Sequence, residues 1–185
     1  MQFPAQPGPP SRPRPPAWPK AIGIISIVSA GIGLLCTPVV LAMQKAGPVR
    51  KAMKCFPSWY VTYSALSGII GIAIAAVLLA AGIQTLRRRP SGSGLHITYA
   101  IVDILLSVAG IIVFVGWVIP QMDLSVFGPK QAGVIGGLVG GLIGMVAGMA
   151  YPMFLLVWFS RAKIRQQIRQ WSAAVQILPP AGADY

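Results

Sequence analysis

Four apolar runs, at residues 21–43, 58–86, 95–119 and 132–160, leave this chain few folds to choose from. A bilayer core about 30 Å thick takes about 20 helical residues at 1.5 Å each. Each run reaches that length, and tyrosines aside only His96 and Asp103 place an ionisable group inside one. Inside lipid every backbone N–H and C=O must bond within its own segment, which a helix does. The expected fold is therefore all-α, a four-helix transmembrane bundle over residues 20–160. Composition points the same way. Only 10% of the residues are charged and 55% are hydrophobic, whereas soluble domains carry about 25% charged residues.

The first run invites comparison with a signal peptide, because Arg12, Arg14 and Lys20 precede it. Its length of about 23 residues exceeds a signal h-region of about 7–15, so it reads as a retained span. Leu34 and Leu35 before Cys36 lack the small residue that a lipoprotein cleavage site needs.

Charge orients the spans. The chain holds 15 Lys and Arg against three Asp and Glu, for a net charge of +12. Arg12, Arg14, Lys20, Arg87, Arg88, Arg89, Arg161, Lys163, Arg165 and Arg169 fall on one side of a four-span chain. Lys45, Arg50, Lys51, Lys54 and Lys130 fall on the other. Cytoplasmic loops carry the excess of Lys and Arg, so both termini are expected in the cytoplasm. The four cations of the first loop fit a short interfacial segment at 49–56 whose lysines snorkel. Trp18, Trp59, Tyr60, Trp117, Trp158 and Phe159 sit at span ends, where aromatic belts form. Pro57, Pro90 and Pro120 punctuate the spans, and Pro38 and Pro152 are expected to bend the first and fourth. A short chain without a targeting signal suggests a bacterial inner (plasma) membrane.

The flanks differ from the spans. Eight of the 17 prolines lie in residues 1–19, which reads as an extended, disordered cytoplasmic tail. Residues 161–178 read as a basic amphipathic segment. Arg161, Arg165 and Arg169 form one helical stripe, with Lys163 nearby, and Ile164, Ile168, Trp171 and Val175 form another. Such a helix suits anionic lipid headgroups, each cation contributing about 1 kcal/mol near the surface. A plain stop-transfer cluster fits equally well. Pro179 and Pro180 end the helix and leave 179–185 as a tail.

Two features carry the functional expectation. Asp103 lies inside the third run, and a carboxylate at membrane depth is costly enough to suggest a site. His96, Tyr99 and Ser107 share its helix face at intervals of seven and four residues. A face of His, Tyr, Asp and Ser suits proton or cation handling. The plainer reading is an Asp that fastens the third helix to Ser64, Ser67 or Tyr63. In the fourth run Gly136, Gly140, Gly144 and Gly148 recur every four residues, with Gly137 and Gly141 as a second row and Gly133 ahead of them. Small-residue spacing of this glycine-zipper kind lets helix backbones approach closely. The second run repeats it with Ser67, Gly71 and Ala75 and with Ser64 and Gly68. The expected partners are the second and fourth helices, or two copies of the fourth.

Other chemistries lack parts. One His, two Cys and three Asp are too few for an expected metal site, and no cofactor motif stands out. Carboxylates do not pair on any face. No Gly-x-Ser-x-Gly elbow frames a nucleophile, and no phosphate loop is present. Ser91-Gly92-Ser93-Gly94 reads as a linker between spans. Cys36 and Cys55 differ in depth, which disfavours a disulfide. The cations cluster where topology and lipid already account for them, so nucleic acid is not an expected partner. The expectation is a multi-pass membrane protein that is not an enzyme. It would act through helix–helix or lipid contacts as a subunit or homo-oligomer. The alternative is a small transporter or channel component using Asp103.

Overall fold

The computed structural model describes residues 17–44, 55–123 and 131–176. The proline-rich tail up to residue 16, the lysines and arginine of the first loop, Lys130, the side chain of Val175 and residues 177–185 lie outside the described residues. Six helices follow in order: α1 (Trp18–Met43), α2 (Ser58–Leu86), α3 (Ser91–Val113), α4 (Gln131–Gly148), α5 (Ala150–Ser160) and α6 (Ala162–Gln176). There is no strand among the described residues. Four stretches are long and apolar enough to cross a membrane: Trp18–Met43, Ser58–Leu86, Ser91–Gln121 and Ile135–Ser160.

The breaks between elements have local causes. Pro57 caps α2, where its missing N–H is no loss. The turn from α2 to α3 puts Arg88 at φ 53°, a left-handed conformation that L side chains rarely adopt. Beyond Val113 the third stretch continues as a π-helical turn (Phe114–Val118) and a 3₁₀ turn (Ile119–Gln121). Pro120 cannot donate to the Gly116 carbonyl four residues back, so the regular ladder stops there. Pro152 acts likewise on the fourth stretch. The carbonyl of Gly148, four residues before it, loses its partner, and the helix breaks at Met149 between α4 and α5. Pro38 sits inside an unbroken α1. At Arg161 the backbone turns extended, with ψ 130°, so α6 leaves the line of α5.

Residues 91–94 are helical and not a linker. Ser93 Oγ donates to the Pro90 carbonyl at 2.8 Å, and Ser91 bonds Gln84 across the turn. Gly92 lies so close to α2 that a Cβ built on it would stand 2.6 Å from Thr85 Oγ1. Glycines usually signal a loop; here one signals close packing.

The helices run alternately up and down and pack in sequence. α1 on α2 is the most extensive pairing, followed by α2 on α3 and α3 on α5. α1 and α2 approach at Gly23 and Gly82, where a Cβ built on Gly82 would stand 3.0 Å from the Gly23 carbonyl oxygen and from Ser26 Cβ. Further along, Gly68 receives Leu41 and Gly33 faces Ala75. The tight small-residue seam is thus between α1 and α2. It is not the expected seam between the second and fourth helices, because Gly133, Gly136, Gly137, Gly140, Gly141, Gly144 and Gly148 have nothing within 4 Å of a built Cβ. α4 touches the bundle sparsely, through α3 and α5.

The core sits at one end. Ile22, Leu78, Ala100, Leu155, Phe159 and Ile164 form it, with Trp18 and Trp158 packed against it. This is the end that holds the start of α1, the turn from α2 to α3, and the turn from α5 to α6. Every Lys and Arg of the described residues lies there too. At the opposite end α1 and α2 stay in contact through Leu41 and Gly68, and Trp59 Nε1 donates to Gln121 at 3.3 Å.

Candidate functional site

Four helices meet at His96. Its ring is fully buried, as are Ser26 on α1 and Thr85 on α2. Ser26 Oγ stands 2.8 Å from His96 Nε2 and 2.7 Å from the Tyr151 hydroxyl of α5. It also reaches the Ile22 carbonyl, at 2.9 Å. His96 Nδ1 lies 2.8 Å from the Gly92 carbonyl and 3.4 Å from Thr85 Oγ1. Phe159 covers the ring at 5.2 Å between centroids. Buried polar groups are costly unless bonded, so their mutual satisfaction is what lets them share an apolar interior.

The geometry assigns the protons. A carbonyl only accepts, so Nδ1 carries hydrogen and donates to Gly92. In a neutral ring Nε2 then accepts, and Ser26 has one hydrogen for two acceptors, Nε2 and the Ile22 carbonyl. With both ring nitrogens protonated, Nε2 donates to Ser26 and Ser26 donates to Ile22. Tyr151 donates to Ser26 in either case. The cluster can therefore take up a proton without moving a heavy atom.

Asp103 occupies a different place. It is half-buried and lines a cavity of about 510 Å³ between α2 and α3, together with Ser64, Ser67, Ser107, Tyr60 and Tyr63. Among the described residues its carboxylate makes no hydrogen bond or ion pair, so it is not fastened to Ser64, Ser67 or Tyr63. Ser64 instead donates to the Val61 carbonyl at 2.9 Å and to Gln44 at 3.3 Å. Met145 of α4 and the Tyr63 hydroxyl approach Gly110 to 3.6 and 3.8 Å from a built Cβ, near one end of this cavity.

The face of α3 that carries His96, Tyr99, Asp103 and Ser107 is thus divided between two neighbours. At the packed end it meets α1, α2 and α5, which enclose His96. Further along it meets α2 and, through Met145, α4, which leaves Asp103 and Ser107 on a cavity wall. Tyr99 is half-buried and within electrostatic range of both Asp103 and Tyr151. It also lines a small apolar space of about 70 Å³ with Ile74 and Val102. Ser26, Thr85 and Tyr151 carry no motif that singles them out. The available signal was depth, because all three lie within a few turns of the same bundle end as His96.

No protein-family profile, no curated protein and no solved structure matches this chain.

The basic segment divides its faces. Arg161, Lys163, Arg165 and Arg169 are all exposed. Ile164 is buried in the core, Ile168 packs against it, and Trp171 stacks on Trp18 at 5.3 Å. Trp18 Nε1 donates to Gln167 at 2.6 Å, and Arg161 lies over the Trp158 ring at 5.2 Å. The apolar stripe of α6 is therefore consumed inside the chain, and only the cationic face is left to meet a surface. Cys36 and Cys55 form no disulfide; Cys36 is exposed on α1, and burial pushes the Cys55 thiol up. Among the described residues no group of three His, Cys, Asp or Glu comes together to hold a metal.

Proposed function

We propose that this chain crosses a membrane four times, with both termini cytoplasmic, and acts through its helix and lipid contacts as a subunit or homo-oligomer. It is not an enzyme in this reading. The outer surface supports insertion. Leu35, Leu66, Leu105 and Ile143 are each more than half exposed, on four separate helices. Soluble monomers seldom show contiguous apolar patches above a few hundred Å². Ser26, Thr85 and His96, by contrast, are buried inside.

The observation that carries the assembly reading is the free glycine face of α4. Glycine in a helix interior is unfavourable by roughly 0.5–1 kcal/mol relative to Ala. Seven of them on one helix, with none of the described residues within 4 Å of a built Cβ, are best explained by close approach of another helix, most simply α4 of a second copy. Cross-linking in vesicles tests this. The Gly140→Leu, Gly144→Leu double variant should lose the dimer band while the monomer keeps its melting temperature. An unchanged band would remove the assembly reading. The exposed cations of α6 are further proposed to rest on anionic headgroups.

A second reading, transport or conduction through Asp103, is favoured by one observation: Asp103 lines a cavity and has no partner among the described residues. Wild-type protein in vesicles should then pass a proton or cation current that Asp103→Asn abolishes. A current that survives the substitution would count against it.

A further inference from the structure

We infer that the cavity between α2 and α3 is a binding site for an apolar organic cation, an amine or onium compound, held at Asp103. This rests on the membrane-spanning reading and on the second reading of Asp103, and names the chemistry that the site would take.

The volume comes first. Ligand pockets run to about 300–1,000 Å³, and about 510 Å³ lies within that range. The walls come next. Ile70, Ile74, Leu106 and Val113 make most of the lining apolar. A carboxyl among such groups either stays neutral or takes a positive partner, and among the described residues none supplies that partner.

The choice of cation follows from what else is present. A hard metal ion takes six to eight oxygens at short range. Here a single carboxylate is offered with Ser107 one turn away on α3, and the other serine and tyrosine oxygens are strung along α2 from Tyr60 to Ser67. An organic cation asks for less: one counter-charge, aromatic faces and apolar walls. Tyr60 and Tyr63 add aromatic wall further along the cavity, at the level of Gly110 and Phe114, for the apolar body of such a ligand.

Depth decides the source. Asp103 stands eight residues inside the apolar run that opens at residue 95, about 12 Å at 1.5 Å per residue. The amine of a lipid headgroup resides at the interface and does not reach so deep. The ligand must be apolar on all sides of its charge. The rim residue Leu66 is 58% exposed, so the cavity opens sideways between the helices and admits a molecule dissolved in the bilayer.

The test uses the full chain in vesicles of a zwitterionic lipid, first washed with alkaline carbonate. Chain released by the wash means that the membrane reading has failed, and with it this inference. With the chain retained, binding of labelled tetraphenylphosphonium is compared with that of neutral triphenylphosphine oxide. Wild type should bind the cation saturably and the neutral probe at background. Asp103→Asn should weaken cation binding by about tenfold or more, and Asp103→Glu should keep most of it. Gly71 lines the cavity with nothing within 4 Å of a built Cβ. Gly71→Leu should therefore fill the space and abolish binding with the charge intact. Retained chain that binds no cation, or binds it equally after Asp103→Asn or Gly71→Leu, would falsify the site.

Discussion

His96→Ala should destabilise the bundle by about 3–5 kcal/mol. Two effects contribute, and they are unequal. Removing a fully buried ring leaves a cavity, and large-to-small changes in packed cores cost about 2–5 kcal/mol. His96 lies under Phe159 with no exposed surface, so the site cannot collapse cheaply. The polar effect is smaller. Interhelical hydrogen bonds in a bilayer average only about 0.6 kcal/mol. Ser26→Ala should accordingly cost only about 1 kcal/mol. His96→Asn can still donate to the Gly92 carbonyl while losing Ser26, and should fall between the two. Unfolding in mixed micelles of rising SDS fraction gives all three values. A His96→Ala loss no larger than that of Ser26→Ala would mean that the ring packs loosely. A double-mutant cycle between Ser26→Ala and His96→Asn isolates their coupling.

Gly82→Val should be more damaging still and prevent the bundle from forming. Even a bare Cβ at this position is 3.0 Å from the Gly23 carbonyl oxygen, from Ser26 Cβ and from Ile27 Cγ1. A carbonyl on the facing helix is backbone and cannot rotate aside as a side chain can. Two added methyls would separate α1 from α2, the most extensive pairing in the molecule, and draw Ser26 away from His96. Limited proteolysis and near-ultraviolet circular dichroism report this directly. The expected result is cleavage in α1 and loss of the tryptophan signal from Trp18 against Trp158 and Trp171. Gly71→Val, on the same helix where nothing stands within 4 Å of the built Cβ, should leave both readouts unchanged.

Much of this architecture could be read from hydropathy, because each long apolar run has one conformation that satisfies its backbone in an apolar medium. What hydropathy does not encode is which faces meet. The spacing of His96, Tyr99, Asp103 and Ser107 correctly places them on one side of a helix, yet that side has different neighbours along its length. Ser26, Thr85 and Tyr151 complete the His96 cluster from three other helices, and single hydroxyls in apolar runs are too common to stand out. Gly92 was hidden by composition: Ser-Gly-Ser-Gly resembles a flexible connector, and only the proximity of Thr85 reveals why one of those glycines must lack a side chain. The glycine rows of α4 show the converse. Their spacing describes a surface made for close approach but does not name what approaches.

The interruption at Met149 makes the fourth stretch two parts with separate duties. α5 is anchored by Leu155 and Phe159, whereas α4 carries no core residue. Substitutions on the free glycine face of α4 stand away from the core, and effects at distant sites usually add within about 0.3–0.5 kcal/mol. A sequence can therefore drift across the outer surface of α4, changing what it recognises, without drawing on the free energy that holds the fold. Partner choice and fold stability become independent variables, separated by the peptide unit that Pro152 leaves unbonded.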